Sequence, residues 1–193
     1  MLKRLAAACA ALILSGQVVA AEMGDDGLHK ADWMRDTFKD LQEDFAEANG
    51  EGKRLVLLIE QQGCIYCAKM HEVTFVEPRV RAMLEDSFYP VQINLNGDTE
   101  VVDTDGETLT EKTAMRKWGV MFTPTMIFLP ADLDQNLSVA QQAVAVMPGA
   151  FGPGTTLDIL TWVAEERYLN MEEEDFQHYH ARMIRERDDG DTQ

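Results

Sequence analysis

The run Arg54-Leu-Val-Leu-Leu-Ile59 is apolar over its last five positions and partly β-branched, and it reads as a buried strand. Ahead of it, Trp33, Met34, Phe38, Leu41, Phe45 and Ala48 recur at helical spacing, with Gly50 and Gly52 as stops, so Trp33 to Asn49 predicts an N-terminal helix. Behind it, Ala68 to Phe75 holds no Gly or Pro and predicts a second helix. Glu77-Pro78 opens a third with Pro at the first helical position and Val80, Met83, Leu84 and Phe88 on its apolar face. Val91 to Leu95 alternates as a strand. The polar stretch from Asn96 to Leu109 contains Asp105-Gly106 and is long enough for a small hairpin. Thr108 or Thr110 starts a helix that ends before Gly119. Thr125 to Leu129 and Ala143 to Met147 predict two more strands, and Thr155 to Tyr168 a helix on Leu157, Leu160, Trp162 and Val163. In the charged segment Met171 to Arg187, the stripe Phe176, Tyr179, Met183 and Ile184 predicts a helical extension packed back onto the domain. The polar residues 188–193 read as a disordered tail.

The first residues stand apart from this pattern. Lys3 and Arg4 precede an apolar stretch from Leu5 to Leu14, and Ser15 to Ala21 is rich in small residues, the layout of a cleaved secretory signal over residues 1–21. A periplasmic location follows as the expectation. Losing Lys3 and Arg4 and no acid takes the net charge from −17 to −19. So acidic a chain repels phosphate, which excludes nucleic acid and anionic membrane surfaces as natural partners, and a soluble monomer is expected. No apolar run reaches the roughly 18 residues that a bilayer span needs.

Export also changes the cysteine count. Cys9 leaves with the leader, and the remaining thiols, Cys64 and Cys67, form one C-x-x-C in Gln62-Gly-Cys-Ile-Tyr-Cys67. A bridge closing so short a loop stabilises by only about 2 kcal/mol, which makes it a poor staple. It suits a reversible switch better. Cys64 falls at the strand-to-helix turn, where free N–H groups and the helix dipole favour a thiolate, and Cys67 falls one turn further in.

The order of strand, C-x-x-C at a helix start, a further strand and helix, and then Val120-Met-Phe-Thr-Pro-Thr125 leading into a strand resembles the thioredoxin fold over roughly residues 33–168. Glu60 to His71 together with Thr123-Pro124 is similar, more narrowly, to the exported SoxW-type proteins found with bacterial sulfur-oxidation genes. The resemblance implies an α/β fold, a central mixed sheet flanked by helices, over residues 22–170, with an N-terminal helix and a C-terminal helical extension. It implies a thiol–disulfide oxidoreductase with no cofactor, acting on protein disulfides or thiols and supplied by a membrane thiol-electron donor. Cys64 matches the attacking cysteine and Cys67 the resolving one. Pro124 matches the cis-proline beside them, and Thr123 offers backbone and hydroxyl to a substrate.

The chain departs from the thioredoxin pattern at several positions. The buried Asp usual six residues before the first cysteine is Leu58, so the proton of Cys67 needs another acceptor. Glu60, on the same strand face as Leu58, and His71, four residues after Cys67, both qualify. Gly63 replaces the usual tryptophan, and Ile65-Tyr66 replaces Gly-Pro, which places both side chains as candidates for the substrate groove. A reading of a different class takes Cys64, Cys67 and His71 as ligands of copper or zinc, with Met70, Met121 and Met126 as soft donors nearby. The preferred assignment has no metal. His178 and His180, two apart, point to different helix faces and do not pair.

Overall fold

The computed structural model describes residues 21–190, so the expected leader, apart from Ala21, lies outside the described residues, as do the last three of the expected tail. In chain order the elements are β1 (Glu22–Met23), β2 (His29–Lys30), α1 (Leu41–Gly50), β3 (Arg54–Glu60) and α2 (Ile65–Lys69), which runs on into a π-helical turn, Met70–Thr74. There follow α3 (Pro78–Ser87), β4 (Phe88–Asn94), β5 (Glu100–Val102), β6 (Thr108–Thr110), α4 (Glu111–Trp118) and β7 (Thr125–Phe128). The rest comprises α5 (Val139–Gln142), β8 (Ala145–Pro148), α6 (Pro153–Ala164), a 3-10 turn (Arg167–Asn170) and α7 (Phe176–Gly190).

Four strands form the central sheet in the order β4-β3-β7-β8, with β4 parallel to β3 and the other pairs antiparallel. The period of two along β3 explains its unbroken apolar run. Leu55, Leu57 and Ile59 point to one face, against Leu41 and Ala48 of α1 and Ala114, Met115 and Trp118 of α4. Val56 and Leu58 point to the other, against Met70, Phe75, Val80, Leu84, Ile159 and Trp162. Both faces are covered by helices, so the strand is buried from Leu55 to its polar end at Glu60.

The β5–β6 hairpin turns at Asp105-Gly106, α3 starts at Pro78 with Glu77 as its cap, and α4 ends at Gly119 in the left-handed region, as the pattern predicts. The N-terminal helix is shorter than expected. The Asp40 side chain accepts from the N–H groups of Gln42 and Glu43 and starts α1 at Leu41, while Lys39 has φ +60° and cannot be helical. Trp33 still reaches the core, but Phe38 stands 95% exposed. Residues 22–30 instead form a two-stranded hairpin that the pattern did not indicate, β1 against β2.

At the other end, α6 stops at Ala164 and Glu166 turns left-handed, so the expected helix to Tyr168 is broken. α7 begins at Phe176, five residues later than expected, and runs past Arg187, so residues 188–190 are its last turn and not the start of a loose tail. Tyr179 is buried, Phe176 and Met183 pack against the Trp162 side of the core, and the helix is tied to α6 through one buried acid. Asp158 receives Arg187 at 2.7 and 3.0 Å and faces His180 Nδ1 at 2.5 Å. His178 instead faces Asp175 in solvent. No helix among the described residues is long and apolar enough to cross a membrane.

Candidate active site

β3 ends at Glu60, and the chain turns through Gly63 before entering α2. Gly63 has φ +73°, in the left-handed region, which accounts for the missing tryptophan: any Cβ there is strained. Cys64 is the N-cap of α2, and its sulfur accepts from the Cys67 N–H at 3.0 Å. The two cysteines are joined by a disulfide, with Cα atoms 5.2 Å apart. The pair is asymmetric, since Cys64 is partly exposed whereas Cys67 is 0% exposed. Facing them is the loop into β7, where the Thr123–Pro124 peptide is cis and the Thr123 hydroxyl donates to the Cys64 sulfur at 3.3 Å.

Glu60, the last residue of β3, and His71, four residues after Cys67, come together. Nε2 of His71 lies 2.9 Å from Oε1 of Glu60, with the residues 3% and 1% exposed. The two candidate proton acceptors are thus a single buried couple, and His71 lies one helical turn from Cys67. The other carboxylate oxygen, Oε2, accepts from Gln92 Nε2 at 2.6 Å, and the same amide nitrogen donates to the His29 carbonyl at 2.7 Å. Lys30 Nζ donates to Gln92 Oε1 at 2.6 Å. The His29 ring stacks on His71 with centroids 4.8 Å apart, and Phe75 meets His71 edge-on. Burial holds the His29 imidazole below its usual value, and the neighbouring His71 adds to the effect.

Exposed apolar side chains stand near Cys64. Ile65 and Tyr66 are exposed on one side, and Met121 and Phe122, just before Thr123, on the other. A groove of about 270 Å³ runs on from Met121 and Phe122 between Ile127, Val146 and Pro148. The soft-metal set does not assemble. Met70 and Met126 are core side chains and Met121 faces solvent. His71 is engaged by Glu60, and no group of three or more His, Cys, Asp or Glu positioned to hold a metal occurs among the described residues.

The sequence gives no site role to Gln92, His29 or Phe122, and it gives Met121 only that of a soft metal donor. Gln92 carried a signal, a polar residue in the middle of the buried run Phe88 to Ile93; its register opposite Leu58 puts it on the Glu60 face. His29 carried none.

Residues 41–136 match the family described as a thioredoxin-like domain. No curated protein matches the chain. Among solved structures, a thioredoxin-fold protein from Helicobacter pylori is similar at 16% identity and TM-score 0.53, covering 69% of this chain and 86% of its own. A thioredoxin from Thermus thermophilus, at 21% identity and TM-score 0.49, covers 64% of this chain and 83% of its own. The C-terminal domain of Neisseria meningitidis DsbD in the reduced form, at 14% identity and TM-score 0.44, covers 64% and 91%. The chain has the thioredoxin fold, a mixed central sheet flanked by helices.

Proposed function

We propose that this chain is a thiol–disulfide oxidoreductase working through Cys64 and Cys67. The observation that carries the reading is the asymmetric disulfide: a reachable sulfur at a helix start, under the Thr123 hydroxyl, bonded to a sulfur that solvent does not touch. In the reduced chain the Cys64 thiolate attacks one sulfur of a substrate disulfide and expels the other as a thiolate. Cys67 then gives its proton to the Glu60–His71 couple and attacks the Cys64 sulfur. The Cys64–Cys67 bond re-forms, and the second substrate sulfur leaves. Two electrons pass from the protein to the substrate.

Ile65, Tyr66, Met121 and Phe122 form the apolar rim on which a polypeptide substrate rests, with Thr123 and Pro124 presenting the backbone beside Cys64. The signal-like residues 1–21 support work in the periplasm, as a monomer supplied with electrons by a membrane thiol donor. The SoxW-type similarity favours a carrier protein of sulfur oxidation as substrate.

Insulin reduction with a dithiol donor tests the chemistry: Cys64→Ser should abolish turnover, and undiminished turnover overturns the reading. Cys67→Ser should leave substrate joined to Cys64, so isolating that adduct from the exported fraction identifies the substrate. Capture of unrelated exported proteins alone would remove the sulfur-oxidation assignment.

A further inference from the structure

The Glu60–His71 couple is closed from solvent by a part of the chain that lies ahead of the matched residues 41–136. The β1–β2 hairpin lays the His29 ring over His71, and the His29 carbonyl takes one hydrogen bond from Gln92. Leu28 beside it is buried, and Trp33 stacks at 6.3 Å on His71. Gln92, itself 7% exposed, is the junction. Its amide nitrogen divides between the Glu60 carboxylate and the hairpin carbonyl, while its amide oxygen is held by Lys30, which is in turn paired with Asp26. Beyond Gln92 lies an open cavity of about 500 Å³ lined by Lys30, Arg35, Lys39 and Thr99. On this side the Gln92 amide therefore stands between the couple and water.

An amide in this place cannot accept the Cys67 proton, but it can decide where the acceptor points. With the hairpin holding both ends of the Gln92 amide, through the His29 carbonyl and Lys30, one Glu60 carboxylate oxygen is committed to the amide, and the other is left facing His71. We infer that Gln92 is a positioning residue for the proton-accepting couple, and that the N-terminal hairpin is a working part of the redox centre through its hold on that amide. This rests on the assignment of Glu60 and His71 given above, and concerns only the second step of the reaction, in which Cys67 loses its proton and displaces the substrate sulfur.

The two steps separate with a chromogenic aryl disulfide and the reduced full chain. Attack by Cys64 releases one aryl thiolate and leaves the other on the protein; resolution by Cys67 releases the second. Gln92→Met keeps the length and removes the hydrogen bonds. The first release should stay within about twofold of the unaltered chain and the second should slow on the order of tenfold, the effect of one hydrogen bond to a charged group. An unchanged second release, or an equal slowing of both, overturns the inference. Should Gln92→Met fail to melt cooperatively, Lys30→Met, which frees the amide from the exposed side, should slow the second release selectively by about threefold, and no change there overturns it likewise. Glu60→Gln separates the two levels. If it leaves the second release alone, the underlying assignment fails; if it slows that step while the Gln92 and Lys30 variants do not, only the positioning role fails.

Discussion

His71 Nε2 and Glu60 Oε1 are 2.9 Å apart with both side chains out of water, so the two side chains form one buried hydrogen-bonded unit. Glu60→Gln and His71→Gln should each slow insulin reduction on the order of 100-fold, the lower end of what a positioned proton acceptor contributes. The double variant should be no slower than the worse single one. Multiplying effects in this cycle would show that the two groups act separately.

Restoring the tryptophan common before the first cysteine should weaken the protein. At φ +73° a side chain at position 63 is strained although nothing blocks it, so Gly63→Trp and Gly63→Ala should both cost about 1 to 2 kcal/mol in urea unfolding of the oxidised chain. A gain in stability from either contradicts the left-handed turn.

Asp44 makes stability fall as pH rises. Burial pushes its carboxyl up to about 7; the Thr37 hydroxyl opposes this, and Glu47, Asp40 and Glu43 add to it. The unfolded chain ionises this group near the ordinary value of 3.8, the folded chain only near 7. The penalty is thus absent below about 4, grows between about 4 and 7, and is constant above. Asp44→Asn keeps an acceptor for Thr37 and should add on the order of 2 to 4 kcal/mol at pH 8 and almost nothing at pH 4, read from paired thermal melts.

The hold of α7 on the domain centres on Asp158. Asp158→Ala leaves Arg187 and His180 without their acid and should cost about 3 kcal/mol, the low end for a broken buried pair because Arg187 is a third exposed. Trp162 packs edge-on against Phe176, so its fluorescence should shift red as α7 loosens. An unshifted spectrum with unchanged stability would mean that apolar contacts alone hold the helix.

What was legible followed from local rules. The apolar run before Glu60, Pro78 at a helix start and Gly119 past a helix end each follow from one stretch of chain. So did the placing of Cys64 at a helix start. The Trp33 to Leu41 spacing misled because periodicity does not see the left-handed Lys39 or the Asp40 cap. The link from Gln92 to Glu60 joins residues 32 apart and exists only through the parallel register of β3 and β4. Glu60 and His71 looked like rivals because nothing in the spacing shows that the π-helical turn and the strand end converge.

The unequal exposure of the two cysteines has a regiochemical consequence. A thiolate arriving from outside finds one sulfur in reach, that of Cys64, since Cys67 presents no surface. Every cross-link with another protein then forms at the same atom, whichever way the electrons run. A peptide map of any trapped adduct therefore has a single branch point, and a product branched at Cys67 would record a chain that had opened before it reacted.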